Sequence, residues 1–238
     1  MTSLERLRIK IFADGADQAS MLELHRRSYI KGLTTNPTLM RKAGIRDYRA
    51  FAREVLATIQ DKPVCFEVLA DDFVSIERQA AEIAGWADNV YVKIPVTNTR
   101  RESSAALIER LTARRIKLNV TAITTLEQIR TVLPALNPAI PSFVSVFAGR
   151  IADTGQDPLP VMARAVQMLS ENPNAQLIWA SSRELLNIFQ AESVGCPVIT
   201  VTRDILDKLT LIGYDLTEFS LDTVKMFRDD AQLAGFTL

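Results

Sequence analysis

Lys93 interrupts an otherwise apolar run, Tyr91-Val92-Lys93-Ile94-Pro95-Val96. A long charged side chain in such a run loses solvation energy unless it is paired or neutral. A neutral amine is a nucleophile toward a carbonyl carbon, and the Schiff base it forms can hold the electrons of a broken carbon–carbon bond. A lysine that snorkels from a strand end to solvent, or that joins a structural ion pair, satisfies the same run. Two carboxylates, Asp14 and Glu67, follow short apolar runs in the same way. Beside an amine they supply the proton transfers that carbon–carbon cleavage and Schiff-base chemistry need. Alone, each fits a salt bridge, and Asp14, just before a helical segment, fits a helix N-cap.

Asn119 and Thr121 flank Val120, so on a strand they share a face. There an amide can hold a substrate hydroxyl and a threonine hydroxyl can hold a water; turn capping accounts for either residue taken singly. Thr34-Thr35-Asn36 and Ser145 close two further apolar runs. Arg150, Ser181 and Arg183 supply two guanidiniums and a hydroxyl, enough for a phosphate-sized anion, although one isolated arginine reads as a solvated surface residue. His25, the only histidine, lies in the first helical segment and reads as a surface residue. Ser-His-Asp catalysis and multi-histidine metal sites therefore have no histidine at a strand end, and no metal is expected.

These residues become one constellation only if the apolar runs are strands of one sheet whose ends converge. Eight short runs alternate with segments of helical spacing: 8–13, 32–35, 64–69, 90–94, 117–120, 143–147, 176–179 and 198–201. Several carry no charge, as strands buried on both faces should not. Leu159, Met162, Val166 and Leu169 fall on one helical face between the sixth and seventh runs, and Val224, Phe227, Ala231 and Ala234 repeat that spacing. The fold class expected is α/β, a (β/α)8 TIM barrel with an additional C-terminal helix over roughly 220–234, docked over its own barrel or on a neighbouring subunit. A doubly wound open sheet competes, but no Gly-rich dinucleotide turn follows the first strand.

The whole chain, 238 residues with 47% hydrophobic and 24% charged, reads as a single domain with no linker or low-complexity stretch. Lys+Arg and Asp+Glu both number 28, so bulk charge selects no polyanion, and no nucleic-acid partner is expected. Cys65 and Cys196 stand apart among apolar neighbours, as reduced structural thiols of a cytoplasmic protein do. The first eight residues lack the apolar stretch of a signal peptide, no later run reaches the length of a membrane span, and no membrane partner is expected.

Almost the whole chain resembles the transaldolase family, in particular its short members, which include fructose-6-phosphate aldolases. The likeness rests on Ala13-Asp14-Gly15-Ala16-Asp17, Gly32-Leu33-Thr34-Thr35-Asn36-Pro37-Thr38, Val92-Lys93-Ile94-Pro95-Val96-Thr97, Asn119-Val120-Thr121, Phe147-Ala148-Gly149-Arg150-Ile151-Ala152-Asp153 and Ala180-Ser181-Ser182-Arg183. Thr-Thr-Asn-Pro and Val-Lys-Ile-Pro, in that order, are specific together.

The resemblance implies that Lys93 is the Schiff-base lysine, Asp14 the acid/base of cleavage, and Glu67 and Thr121 the holders of a catalytic water. It implies that Asn36 and Asn119 bind a dihydroxyacetone portion with Ser145 near its terminal hydroxyl, and that Arg150, Ser181 and Arg183 grip a distal phosphate. Thr35 and Phe147 complete the expected substrate-binding set. Glu67, Ser145, Phe147 and Arg183 are similar to the transaldolase pattern, where the aldolases carry Gln, Ala, Tyr and Lys. The implied partners are phosphorylated sugars and further copies of the chain, as a pentamer or decamer joined through the terminal helix; no cofactor is implied. The chain departs from the family at Asn98-Thr99-Arg100-Arg101-Glu102, where a small Gly-containing turn is usual, and at Ser182, where an aromatic residue is usual. The added cations suit a different anionic sugar.

Overall fold

The computed structural model describes residues 7–237. The leader-free amino terminus expected above lies, through residue 6, outside them. Eight parallel strands, β1 (Lys10–Asp14), β2 (Ile30–Thr34), β3 (Val64–Glu67), β4 (Val90–Pro95), β5 (Leu118–Ile123), β6 (Ser142–Val146), β7 (Ala175–Trp179) and β8 (Val198–Thr202), close into a barrel in chain order. The open-sheet alternative is thereby excluded, because β1 pairs with β8 over its whole length.

Helices follow each strand, and every one but the last buries side chains against the outside of the barrel. They are α1 (Gln18–His25), α2 (Pro37–Lys42), α3 (Tyr48–Thr58), α4 (Phe73–Ala84), α5 (Ala105–Ala113), α6 (Leu126–Val132), α7 (Ala148–Ala152), α8 (Leu159–Leu169), α9 (Leu186–Ser193), α10 (Arg203–Leu206) and α11 (Leu216–Leu233). Side chains stop and start them: Asp72 accepts from the Ser75 N–H at 2.8 Å at the head of α4, and Thr125 and Gln128 form a capping box on α6. In α4 the residues Ile76, Ala80 and Ile83, at i, i+4 and i+7, are buried against the strands. Each large aliphatic side chain so removed from water contributes about 1.5–3 kcal/mol. The stripe expected between β6 and β7 is realised in α8, where Met162 and Leu169 are buried and Leu159 and Val166 pack partly against the core.

Inside the barrel the period-two alternation of the strands separates two layers. The lower is apolar and contains Phe12, Cys65, Phe143, Ile178 and Val198, with Tyr91 packed against it. Phe12 and Phe143 meet edge to face at 5.4 Å, and Tyr91 lies 4.5 Å from Phe143. Two residues further along the same strands stand Asp14 above Phe12, Glu67 above Cys65, Lys93 above Tyr91 and Ser145 above Phe143. A hydrophobic stopper thus supports a polar ring. Burial pushes the Cys65 thiol up to about 11 and the Cys196 thiol up to about 12, so both behave as small apolar groups.

The C-terminal helix starts earlier than its apolar stripe suggests, because Asp215 caps it at Leu216. None of its residues is buried, so it does not dock over its own barrel. Val224 and Phe227 are 60% and 63% exposed. Among the described residues no helix is long and apolar enough to cross a membrane.

The stopper sets a steric condition on β2. A Cβ on Gly32 would lie 2.5 Å from the Phe12 ring, which is itself 1% exposed. Gly32→Ala is expected to destabilise the fold by about 1–3 kcal/mol in chemical denaturation, as overpacking does.

Candidate functional site

The barrel register brings the chemistry-bearing residues of the polar ring side by side. Glu67, Lys93 and Asn119 are direct partners on three adjacent strands, and Asp14 is the partner of Thr34. Lys93 is 6% exposed. Its Nζ lies 3.1 Å from Glu67 Oε2 and donates to the Thr35 carbonyl at 2.8 Å. It does not snorkel to solvent; the interior ion pair is the alternative realised.

Asp14 is partly buried at the end of β1 and accepts from the Thr34 hydroxyl at 3.0 Å. Burial raises its carboxyl above the ordinary aspartate range; the charge of Lys93 and the Thr34 hydrogen bond oppose the shift, and the Glu67 charge adds to it. The helix cap that Asp14 could have made is made by Asp17, which accepts from the Ser20 N–H at 2.8 Å.

Ser145 donates to Asn119 Oδ1 at 2.7 Å, which orients the amide with its Nδ2 donors unpaired by that bond. Thr121 shares the interior face with Asn119, as alternation requires, and is 1% exposed. Its hydroxyl has no hydrogen-bond partner among the described residues, and neither has that of Thr35. Orphaned hydroxyls of this kind are costly in a structural role and useful as donors or acceptors to a guest molecule. β5 bulges immediately after Thr121, where Ala122 takes a positive φ of 62°, before pairing resumes at Ile123. Asn36 caps α2 through Oδ1, accepting from the Leu39 N–H at 3.0 Å. Phe147 follows β6 and packs against the stopper.

The anion-binding candidates gather at the loops after β6 and β7. Ser181 adopts a φ of 66°, and its carbonyl lies where a Cβ on Gly149 would come within 1.6 Å. Only glycine lets the β7 loop rest on α7. Arg183 lies across that contact, and Arg150, next to Gly149, is exposed with no ion-pair partner among the described residues. Arg183 does have a partner. It donates from Nε to Asp153 Oδ1 at 3.0 Å and from Nη2 to Oδ2.

Both departures from the family pattern are built into the structure. Asn98 is buried and its Oδ1 accepts from the N–H groups of Arg100 and Glu102, each at 3.0 Å. Arg100 pairs with Glu102 at 3.0 Å, so much of the loop's charge is cancelled within it. Thr99 is tied to Asp71 by two hydrogen bonds. Ser182 is buried and donates to the Thr200 carbonyl at 2.6 Å, stitching the β7 loop to β8.

Three supporting contacts were not read from the sequence: Thr34, named there only as a strand-end residue, on Asp14; Asp153 on Arg183; and Tyr48, whose hydroxyl donates to the Glu67 carbonyl at 2.9 Å. The strand-end position of Thr34 and the place of Asp153 in the segment shared with the family were usable signals; Tyr48 carried none. His25, read as a surface residue, is mostly covered, with a 17% exposed side chain 3.6 Å from Asp61. Burial of Leu24 and Met21 on the same helix draws it in.

The Asp14 environment has a thermodynamic signature. The folded chain holds this proton to higher pH than the unfolded chain, so stability falls as pH rises from about 3.8 through the raised value, and the loss persists at neutral pH. Asp14→Asn removes this titration. It is expected to raise the Tm at pH 7, with the difference from the parent closing at pH 3; equal differences at both pH values would refute the assigned cause.

With the geometry in place, the likenesses to known proteins take on meaning. The family model described as Transaldolase/Fructose-6-phosphate aldolase matches residues 11–237. A Dehalococcoides mccartyi protein named "Probable transaldolase" is 33% identical over 211 residues, 88% of this chain and 93% of that one. A Methanococcus maripaludis protein of the same name is 35% identical over 215 residues, 90% of this chain and 94% of its own length. Among solved structures, KGPDC from Streptococcus mutans superposes with a TM-score of 0.56 at 12% identity, over 86% of this chain and 98% of that one, a likeness of fold alone. Matched along nearly its whole length, the chain belongs to the transaldolase/fructose-6-phosphate aldolase family.

Proposed function

We propose that the protein is a transaldolase, which moves a dihydroxyacetone unit from a ketose phosphate such as fructose 6-phosphate to an aldose phosphate through a Schiff base on Lys93. The observation that carries this reading is the buried Lys93 amine between the Glu67 carboxylate and the Thr35 carbonyl, close enough to Asp14 for their charges to interact.

In the proposed sequence the Lys93 amine gives up a proton and attacks the ketose carbonyl, and water leaves as the imine forms. Glu67 and the orphaned Thr121 hydroxyl hold that water and relay its protons. Asp14 takes the proton of the C4 hydroxyl; the C3–C4 bond breaks, an aldose phosphate departs, and the electron pair stays as an enamine. Burial raises this carboxyl, which makes its anion a stronger base for the transfer than an ordinary aspartate. The enamine then attacks the acceptor aldehyde, Asp14 returns the proton, and hydrolysis frees Lys93. Asn36, Asn119, Ser145 and Thr35 hold the three-carbon unit, Phe147 walls it, and Arg150, Ser181 and Arg183 take the distal phosphate. Glu67, Ser145, Phe147 and Arg183 together favour transfer over simple cleavage. The reading takes the whole chain as one barrel domain, working in the cytoplasm without metal or organic cofactor.

The exposed apolar side of α11 supports a homo-oligomer, pentamer or decamer, joined through that helix. Phe227→Glu, on a side chain 63% exposed, is expected to lower the assembly size by light scattering. An unchanged mass would sink this use of the helix.

Borohydride added with fructose 6-phosphate is expected to leave a reduced adduct on the Lys93 peptide by mass analysis. Lys93→Met should abolish the adduct and reduce turnover by at least about a thousandfold, as loss of a nucleophile does. No adduct, with donor binding shown independently, would overturn the Schiff base. Free dihydroxyacetone released from donor alone as fast as turnover with acceptor would replace transferase by aldolase.

A further inference from the structure

The Arg183–Asp153 pair has a geometry that the proposed reaction does not require by itself. Asp153 engages one edge of the guanidinium, Nε and Nη2. Both Nη1 hydrogens and one on Nη2 remain, and the Nη1/Nη2 end offers the fork arrangement that suits a phosphate. The rest of Arg183 is also held. Its backbone N–H donates to Asn187 Oδ1 at 2.8 Å, and that oxygen also accepts from the Glu184 N–H at 3.2 Å. Asn187 is itself buried and donates to Gln190 at 2.8 Å. On the other side, Asp153 is the C-cap of α7, its N–H directed at the carbonyls of Gly149 and Ile151. The guanidinium therefore lies between two anchored groups, with its Nε 3.2 Å from where a Gly149 Cβ would stand.

We infer that Asp153 is a positioning residue of the anion site, which clamps Arg183 by its Nε/Nη2 edge so that the Nη1/Nη2 end is presented to the substrate's phosphate. The inference rests on the reading of Arg150, Ser181 and Arg183 as that site. Two opposed effects follow from an acidic partner. It fixes a side chain that otherwise loses rotamer freedom on binding, and it cancels part of the positive charge. The pair is about half exposed, with side chains at 45% and 49%, so solvent screens the charge cancellation and orientation dominates.

The test uses the full-length protein with inorganic phosphate as the probe, titrated calorimetrically at constant ionic strength, alongside turnover of fructose 6-phosphate. Asp153→Asn keeps size but replaces the paired acceptors with a single one. It is expected to raise the phosphate Kd and the KM for fructose 6-phosphate in parallel by about three- to tenfold, the cost of ordering one long side chain, with kcat within about twofold. Asp153→Glu, which restores two acceptors, should recover at least part of the affinity. Arg183→Ala serves as the reference, and a loss of phosphate binding larger than that of Asp153→Asn is expected. If Arg183→Ala leaves phosphate binding intact, the anion-site reading is wrong and the inference goes with it. If Arg183→Ala weakens binding while Asp153→Asn leaves it unchanged or tightens it, only the positioning role is refuted, Asp153 then being a bystander or a competitor for Arg183. A fall in kcat without a change in Kd or KM would likewise refute it.

Discussion

An ammonium and a carboxylate, Lys93 Nζ and Glu67 Oε2, meet at 3.1 Å where the barrel interior opens into its mouth. Neither can be there alone: removing one partner of a buried ion pair leaves an uncompensated charge and typically costs about 3–5 kcal/mol. The third contact, to the Thr35 carbonyl, comes from yet another strand end. The pair therefore depends on β2, β3 and β4 holding their register, and the register depends on barrel closure. The helices contribute indirectly, by burying the outer strand faces and excluding water from the surroundings of the pair. A low-dielectric setting strengthens such an attraction while making any vacancy in it expensive.

Strain is concentrated on the same end of the barrel. Arg101 and Ser181, with φ of 65° and 66°, follow β4 and β7, and Ala122, with φ of 62°, sits in the bulge near the end of β5. A left-handed conformation at a residue with a Cβ costs roughly 1–2 kcal/mol. A fourth such residue, Arg115, lies at the opposite end, where α5 turns into β5. Two of these re-aim the chain at the candidate site: Ala122 bulges β5 just after Thr121, and Ser181 puts its own carbonyl on Gly149. Local energy is given up there to fix where side chains point.

Every strand was legible because parallel strands buried on both faces appear as uninterrupted apolar, β-branched runs. Their ends were not. β5 continues to Ile123, three residues past the end its composition suggests, because its backbone pairs onward with β6 at Val146 after a bulge. That extension is a property of the neighbouring strand. Lys93, Asp14, Glu67 and Asn119 were legible as polar residues ending apolar runs, since closure of a barrel gathers strand ends whatever the details. The partners that fix them were hidden. Thr34 with Asp14 and Asp153 with Arg183 span 20 and 30 residues of sequence, and Tyr48 reaches a backbone carbonyl that no side-chain pattern encodes. The terminal helix was visible from its stripe, but the stripe could not say that the face stays exposed, because exposure depends on what the rest of the surface offers it.

The stopper of Phe12, Phe143, Cys65 and Ile178 beneath the polar ring leaves the barrel with one door. For a two-substrate exchange on Lys93, the outgoing aldose and the incoming acceptor must use that door in turn. Under that proposal traffic would be single file, and the protein would wait, loaded, between the departure and the arrival. In the proposed transfer, fidelity then becomes a matter of timing: a carbon fragment held on the lysine has to outlast that interval against water entering by the same route.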